Sequence, residues 1–402
     1  MKLTAIVCEY NPLHTGHAAH LAYAKTLGDA AVCVMSGNLV QRGEAAIADK
    51  YARAEAAISA GADLVLELPF PYAMSGASFF ARGAISTLAS VGAETLVFGS
   101  ECGDVSLLAS AAKALDEAPT ETADKTRGSA VGHFERLSGL MDGTTFSSND
   151  ILGIEYIRAM RAGGFAMTPI TMKRLGDGYR ETAPKDAEYA SATAIRNALF
   201  SGKVKEAEKY LPTAMREILD REREKGNAPA TLVNAERAIL FFWRTADPEA
   251  LSSLAELGGG LAERLVSAAA KATTLDELYA LAATKKYTNA HIRRAILYGM
   301  LGVRWEDLEA APAYTNLLAA NAKGCEILAA LRRGEQAVPV LTKPSDIDAL
   351  CQKYPEREGA LRRTHELATR ADALVSLAYP NAAETGRWLS GKPFLATGVD
   401  ES

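Results

Sequence analysis

Short apolar runs alternate with segments of helical periodicity along the first part of the chain. The alternation predicts four strands and a helix after each: strands at 3–8, 30–35, 64–68 and 95–98, and helices at 16–27, 46–60, 75–90 and 105–115. Residues 64–66 are continuously apolar, as in a strand that is covered on both faces. In the second helix an apolar stripe recurs at spacings of four, three and four residues, at Ile47, Tyr51, Ala54 and Ile58. The pattern predicts a parallel sheet wrapped by helices.

The pattern changes in the second half of the chain. A helix near 149–161 and a strand near 167–172 continue the α/β alternation to about residue 200. Beyond it, helix-forming segments separated by Gly, Pro or Asn follow with little strand signal: 214–225, 235–244, 262–270, 276–283 and 290–301. We therefore predict a doubly wound α/β domain at residues 1–200 and a mainly α-helical domain at 201–402.

Composition narrows the class of protein. Hydrophobic residues make up 48% of the 402 residues and charged residues 23%, which is typical of folded globular chains. The apolar runs are only as long as strands, and the first one ends at Glu9, so we expect no membrane span, no secretory signal and a cytoplasmic location. The five cysteines form no CxxC pair, so we expect neither a disulfide framework nor a structural metal site. A net charge of -5 means that any nucleic-acid contact must be local.

Histidines crowd the turn that follows the first predicted strand. Three of the six histidines, His14, His17 and His20, lie within seven residues there. The N-terminus of the next helix offers free N–H groups and a positive dipole end, Gly16 lets a phosphate approach the backbone, and two imidazoles can donate hydrogen bonds to its oxygens. The alternative is that these histidines only cap and cover the helix. We favour the phosphate site because the pattern His-x-Gly-His stands at a strand-to-helix corner.

A second segment complements this corner. Ser191 and Thr193 supply hydroxyl groups at the start of a predicted helix, and Arg196 follows about one and a half turns later, within reach of phosphates. Taken alone, this segment is typical of a serine N-cap followed by a solvated arginine. Together with the histidines it resembles the second signature of the HIGH-type nucleotidyltransferases, which attack the α-phosphorus of ATP and release pyrophosphate. We therefore predict His14, His17 and Arg196 as catalytic residues.

Six segments in one order carry a closer resemblance. The chain resembles the tRNA(Met) cytidine acetate ligase family in residues 9–17, 35–44, 61–69, 98–101, 149–153 and 191–196. The resemblance implies a HIGH-type, Rossmann-like fold and a reaction in two steps. Acetate and ATP form acetyl-adenylate and pyrophosphate, and the exocyclic amine of the wobble cytidine of elongator tRNA(Met) then takes the acetyl group, which gives N4-acetylcytidine.

The same resemblance implies which residues hold ATP. They are Val7, Cys8, Glu9, Tyr10, Asn11, Pro12, Leu13, His14, Thr15, Gly16, His17, Ala18, Ala19, His20, Gly99, Asn149 and Arg174, to which the serine-led turn adds Ser191, Thr193 and Arg196. Acetate is already an anion at neutral pH, so the first step requires positioning and relief of phosphate charge rather than a general base. We expect a magnesium ion to accompany ATP.

The helical half contains a basic stretch. Residues 278–304 include five basic side chains and no Asp or Glu. We predict tRNA contacts from Lys285, Lys286, Arg293 and Arg294. The alternative is a solvated helix whose acidic partners lie elsewhere in the chain.

Two other functions remain open at this stage. The chain could adenylylate a phosphorylated small molecule, although this leaves the helical half without a role. It could also be a tRNA-binding protein with a vestigial nucleotide site, against which the intact His14, His17 and Arg196 argue.

Overall fold

The computed structural model describes residues 1–118, 136–174, 190–334 and 336–396. Its strands are β1 (Leu3–Cys8), β2 (Ala30–Ser36), β3 (Leu39–Val40), β4 (Glu44–Ala45), β5 (Leu64–Leu68), β6 (Thr95–Ser100), β7 (Thr168–Lys173), β8 (Thr315–Asn321), β9 (Val340–Leu341) and β10 (Phe394–Ala396). The helices of the α/β half are α1 (Thr15–Lys25), α2 (Lys50–Ser59), α3 (Ala77–Ser90), α4 (Val105–Glu117), α5 (Ser148–Ala162) and α6 (Ala192–Phe200).

Helices dominate the rest of the described chain. They are α7 (Val204–Glu208), α8 (Thr213–Glu224), α9 (Glu236–Thr245), α10 (Pro248–Leu251), α11 (Leu261–Ala269), α12 (Leu275–Ala282), α13 (Asn289–Leu301), α14 (Trp305–Glu309), α15 (Ala322–Leu331), α16 (Ile347–Lys353) and α17 (Glu358–Val375). Among the described residues, no helix is both long and apolar enough to cross a bilayer.

The strands form an eight-stranded sheet in the order β10-β8-β5-β2-β1-β6-β7, with β9 paired to β8 beside this path. The five strands from β5 to β7 are mutually parallel, whereas β8 runs antiparallel to β5. This arrangement confirms the predicted doubly wound α/β fold. The chain order reverses at β1, whose neighbours are β2 and β6, so the crevice at the carboxyl ends of β1 and β6 is where such folds bind ligands.

Three strands lie in the half that the sequence pattern predicted to be helical. β8 reads TNLLAAN, a short segment of small residues without a β-branched run, and it pairs with a strand about 250 positions earlier in the chain. Such a pairing leaves little local signal. The sheet therefore extends past residue 200, and the proposed boundary between two domains at that position stays a prediction.

The two halves share an apolar core. Trp243 is fully buried among the helices of the second half, in a cluster that also contains Leu39, Phe70 and Met74 from the first half. The Tyr298 hydroxyl of α13 donates a hydrogen bond to the Met74 carbonyl at 2.7 Å. The helical half is therefore packed against the carboxyl-end loops of the sheet.

Candidate active site

The cleft begins where β1 passes into α1. His14 is the N-cap of α1, and its Nδ1 accepts hydrogen bonds from the Gly16 and His17 backbone N–H groups at 3.1 and 3.4 Å. The His17 Nδ1 accepts in turn from the His14 N–H at 3.4 Å. This reciprocal capping fixes both imidazoles at the positive end of the helix dipole.

The two rings are stacked and uncharged. Their centroids lie 3.7 Å apart with planes 22° from parallel. Burial, with a smaller effect from the Arg174 charge, lowers the pKa of His14 from 6.5 to about 3, and burial also lowers the pKa of His17. His20 lies on the same helix, and burial lowers its pKa to about 4. All three imidazoles are therefore neutral at physiological pH.

Neutrality determines what His14 can offer to a ligand. Its Nδ1 is an acceptor in the helix cap, so the hydrogen of the neutral ring is assigned to Nε2. A neutral Nε2–H donates a hydrogen bond to a phosphate oxygen without adding a full charge. Any positive charge that side chains supply to a triphosphate here must come from arginine and lysine.

The carboxyl ends of β6 and β7 form the opposite wall. The cleft is lined by His14, Gly16, His17, Ala19, His20, Gly99, Met172, Lys173, Arg174, Ala190 and Ser191. Gly99 lies against Arg174, because a Cβ atom at Gly99 would be 3.2 Å from the Arg174 Cγ. The Arg174 N–H donates to the Ser100 carbonyl at 3.0 Å, which continues the strand pairing beyond β7. The structure thus brings the predicted Gly99 and Arg174 to the histidine corner.

Asn149 lies in the first turn of α5, beside the loop that follows β6. Its Nδ2 donates to the Glu101 Oε1 at 2.7 Å, and the Ser147 hydroxyl bonds the other Glu101 oxygen. Asp150, in the first turn of α5, accepts hydrogen bonds from the Glu101 and Cys102 N–H groups at 3.0 and 3.1 Å. These contacts fix the loop after β6 and hold Asn149 near Gly99.

The serine-led turn folds as the sequence predicts. Ser191 is the N-cap of α6, and its hydroxyl accepts from the Ala194 N–H at 3.1 Å. Arg196 donates to the Asn11 carbonyl at 2.8 Å and to the Thr193 hydroxyl at 3.3 Å. The two segments, about 180 positions apart in the chain, therefore meet at one corner. A second helix N-terminus opens on the cleft there, beside the N-terminus of α1.

The segment 7–20 contributes through its backbone as well as its side chains. Cys8, Tyr10 and Leu13 are buried in the core under the sheet, so a nucleotide can meet these positions only at backbone atoms. The centroid of the Tyr10 ring lies 5.2 Å from that of the His17 ring, so the two rings pack against each other. Of the predicted ATP contacts, the ones that line the cleft are His14, Gly16, His17, Ala19, His20, Gly99, Arg174 and Ser191.

The hairpin formed by β3 and β4 lies within the segment 35–44 that carries part of the family resemblance. The Gln41 N–H donates to the Glu9 Oε1 at 2.9 Å, which ties the hairpin to the end of β1. Glu44 lies 3.5 Å from Arg196 and also forms an ion pair with Arg293 of α13. No local pattern marks Glu44, because its partners are 152 and 249 positions away.

The basic stretch at residues 278–304 is only partly exposed. Lys285 and Lys286 are exposed, and the Lys286 ammonium lies 5.0 Å from the Tyr287 ring centroid. Arg293 is partly buried by Glu44 and lies over the Tyr279 ring. Arg294 is only 6% exposed and binds both Glu256 carboxylate oxygens at about 3 Å. Arg294 hardly reaches solvent because its guanidinium is buried in this ion pair, so we remove it from the predicted tRNA contacts. The sequence pattern could not show this, since Glu256 lies 38 positions earlier in the chain.

The described residues contain no cluster of metal-ligating side chains. Among them, no group of three or more His, Cys, Asp or Glu side chains is arranged to hold a metal ion. Glu101, the nearest carboxylate to Gly99 in the chain, is already bound by Asn149, Ser147 and, at 3.6 Å, Arg174. Magnesium prefers oxygen ligands and keeps several waters, and the phosphate oxygens of ATP are ligands of that kind.

Comparison with known proteins agrees with this geometry. Residues 1–387 match the family model for HIGH nucleotidyl transferases. The tRNA(Met) cytidine acetate ligases of Acetivibrio thermocellus and Syntrophotalea carbinolica are 34% and 35% identical to this chain, and the alignments cover 95–96% of it and 96% of each relative.

Solved structures show the same likeness. The crystal structure of Thermotoga maritima TmcAL bound with alpha-thio ATP superposes with a TM-score of 0.86 at 30% identity, covering 99% of this chain and all of that one. The apo form of the same protein gives a TM-score of 0.89 at 31% identity over the same shares of the two chains. The chain therefore belongs to the HIGH nucleotidyltransferases and, within them, to the family of tRNA(Met) cytidine acetate ligases.

Proposed function

We propose that this protein uses ATP and acetate to form acetyl-adenylate and transfers the acetyl group to the exocyclic amine of the wobble cytidine of elongator tRNA(Met). The observation that carries the proposal is the meeting of two signatures at the switch point of the sheet. The capped pair His14 and His17 and the serine-led turn with Arg196 converge on the loop after β1. Because its substrate is a tRNA, we place the reaction in the cytoplasm.

In the first step an acetate oxygen bonds to the α-phosphorus of ATP as the bond to pyrophosphate breaks. The residues of this corner then have separate tasks. Neutral His14 donates from Nε2 to a phosphate oxygen, while Arg174 and Arg196 supply positive charge. The N-termini of α1 and α6 add oriented N–H groups. Magnesium, carried in by the triphosphate, would neutralise further phosphate charge.

The second substrate must approach from the helical half. Lys285 and Lys286 are exposed, and no salt bridge engages either of them among the described residues. Tyr287 is stacked on His291 with ring centroids 4.7 Å apart, which leaves the lysines beside an aromatic surface suited to an RNA backbone or base. We propose these two lysines as tRNA contacts and the segment 201–402 as the part of the chain that carries them.

The direct test supplies the protein with ATP, radiolabelled acetate and an elongator tRNA(Met) transcript, followed by nucleoside analysis. Label is expected on the wobble cytidine and absent from a transcript with uridine at that position. Replacing His14 by Asn, which can still cap α1, should lower the transfer rate about 10²- to 10³-fold, because the Nε2–H donor is lost. Label on no nucleoside would overturn the proposal.

A second assay separates the reaction from adenylylation of a phosphorylated small molecule. Pyrophosphate release from ATP should depend on acetate. Release that depends on a phosphomonoester and ignores acetate would favour the other nucleotidyltransferase activity. ATP turnover that is unchanged when both His14 and His17 are replaced would instead indicate a vestigial site.

A further inference from the structure

The transfer step requires something that the adenylation step does not. When the cytidine amine attacks the acetyl carbon, its nitrogen must lose a proton. This amine is a weak nucleophile because its lone pair is delocalised into the ring, so a positioned base should assist it. The Nδ1 atoms of His14 and His17 are engaged in the cap of α1. A base should therefore be sought among the carboxylates around the corner.

Two of these carboxylates are already engaged by side chains. Glu101 accepts from Asn149 and Ser147, and Glu44 is paired with Arg196 and Arg293. A carboxylate that is held by two side chains on both oxygens is a structural anchor. Both of its oxygens are occupied, so neither is free to approach the amine of a substrate.

Glu9 is held differently. Its Oε1 accepts a single backbone hydrogen bond, from the Gln41 N–H at 2.9 Å, and its own carbonyl accepts from the Arg53 guanidinium at 2.5 Å. Among the described residues, no further hydrogen bond reaches the second carboxylate oxygen, and the side chain is partly exposed. Glu9 is thus fixed at the end of β1 with one carboxylate oxygen available.

Glu9 lies between the Arg196 corner and the helical half of the chain. Two residues further along, the Asn11 carbonyl holds Arg196 at the nucleotide corner. On the other side, the hairpin bound to Glu9 touches the helical half, since a Cβ atom at Gly43 would lie 2.7 Å from the Arg294 backbone nitrogen. Glu9 therefore connects the nucleotide corner with the surface from which the RNA would arrive.

We propose that Glu9 is the general base of acetyl transfer, an inference that rests on the proposed function. The cytidine nitrogen bonds to the acetyl carbon, the bond from that carbon to the AMP oxygen breaks, and the proton of the amine passes to the Glu9 carboxylate. AMP leaves with the electron pair of the broken bond on its phosphate. Water takes the proton from Glu9 after the product departs.

The surroundings of Glu9 agree with this role. Burial raises the pKa of the Glu9 carboxyl, the Gln41 N–H and the charges of Arg196 and Arg42 lower it, and Glu44 raises it, with a net upward shift. Arg53 of α2 and Tyr156 of α5 are the charged or titratable groups that face it from the remaining elements. A carboxylate with a raised pKa is a stronger base, so the transfer rate should rise with pH through this pKa and then level off.

The test compares two rates in Glu9→Gln and in the wild-type protein. Acetate-dependent exchange of pyrophosphate into ATP reports the first step, and single-turnover transfer from acetyl-adenylate to tRNA reports the second. Transfer should fall about 10²- to 10⁴-fold more than exchange, and its rise with pH should disappear. The variant Glu9→Asp, which keeps a carboxylate, should retain part of the rate and the pH dependence.

A control variant removes the same charge nearby. Glu44→Gln should lower exchange and transfer by similar factors, because Glu44 positions Arg196 and is not proposed to contact the amine. Equal losses in both assays for Glu9→Gln, or no loss in either, would overturn the role of Glu9. Exchange without any transfer by the wild-type protein would instead refute the proposed function. Urea unfolding of each variant checks that the fold is intact.

Discussion

The buried imidazole of His14 makes a quantitative prediction about acid stability. The ring is 7% exposed, and its pKa is about 3 in the folded protein, compared with 6.5 for an exposed histidine. At pH 5 the folded ring is neutral, whereas the unfolded ring is protonated. Unfolding therefore takes up a proton at this position, and the protein loses stability as the pH falls from 7 towards 4.

The magnitude follows from the difference between the two pKa values. Each pH unit below 6.5 and above 3 costs about 1.4 kcal/mol, so about 2 kcal/mol is lost at this residue between pH 7 and pH 5. Stabilisation by the neutral ring is complete above pH 6.5 and disappears progressively as the pH falls to about 3. His17 and His20 contribute losses in the same direction, since burial lowers both pKa values.

The assay compares His14→Asn with the wild-type protein by urea unfolding at pH 7 and pH 5. Asparagine accepts the same capping hydrogen bonds but does not titrate. The stability lost between the two pH values should be about 2 kcal/mol smaller in the variant. His365→Asn is the control: burial lowers the pKa of His365 too, but Asp348 opposes the shift, so its effect should be smaller. An identical loss in variant and wild type would refute the reasoning.

Three further predictions concern the helical half and the hairpin that contacts it. Arg294→Met leaves the Glu256 carboxylate buried without its arginine and should lower the free energy of unfolding by about 3–5 kcal/mol, measured in urea. The double variant that also replaces Glu256 by Leu should regain most of this loss. Gly43→Ala should lower the melting temperature, because φ is +71° there and the new Cβ would meet the Arg294 backbone. Lys285→Ala should reduce the log-log salt slope of tRNA binding by about 0.7–0.9. The control is Lys323→Ala, which should leave the slope unchanged, because the Lys323 ammonium at the start of α15 donates to the Asp29 carbonyl and is not among the proposed tRNA contacts.

Local signals made the nucleotide corner predictable. The bounds of β1 and β5 match the segments 3–8 and 64–68 that the pattern predicted, because a strand covered on both faces is a mostly apolar run. Capping also leaves a local signature: Ser191 begins its helix as its side chain type suggests. His14 and Arg196 could be brought together only by their resemblance to two known signatures, since no periodicity relates residues so far apart.

Long-range pairing made the remainder unpredictable. β8 joins the sheet through a strand about 250 positions away, and its alanines read equally well as helix. The basic stretch of the second half contains no acidic residue, yet Glu44 and Glu256 reach two of its arginines from outside. A run of positive charge therefore has the same sequence pattern whether it faces solvent or neutralises distant carboxylates.

The adjacent residues Arg293 and Arg294 show that α13 contributes to the surroundings of the cleft as well as to the core of the helical half. Neighbouring residues on a helix point about 100° apart, so one side chain reaches Glu44 on the hairpin and the other enters the core. Loss of Arg293 would remove one of the arginines paired with Glu44, change how Glu44 holds Arg196, and so alter a proposed catalytic side chain. Substitution of Arg293 would therefore change adenylation even if no RNA contact were lost, and it cannot by itself report on tRNA binding.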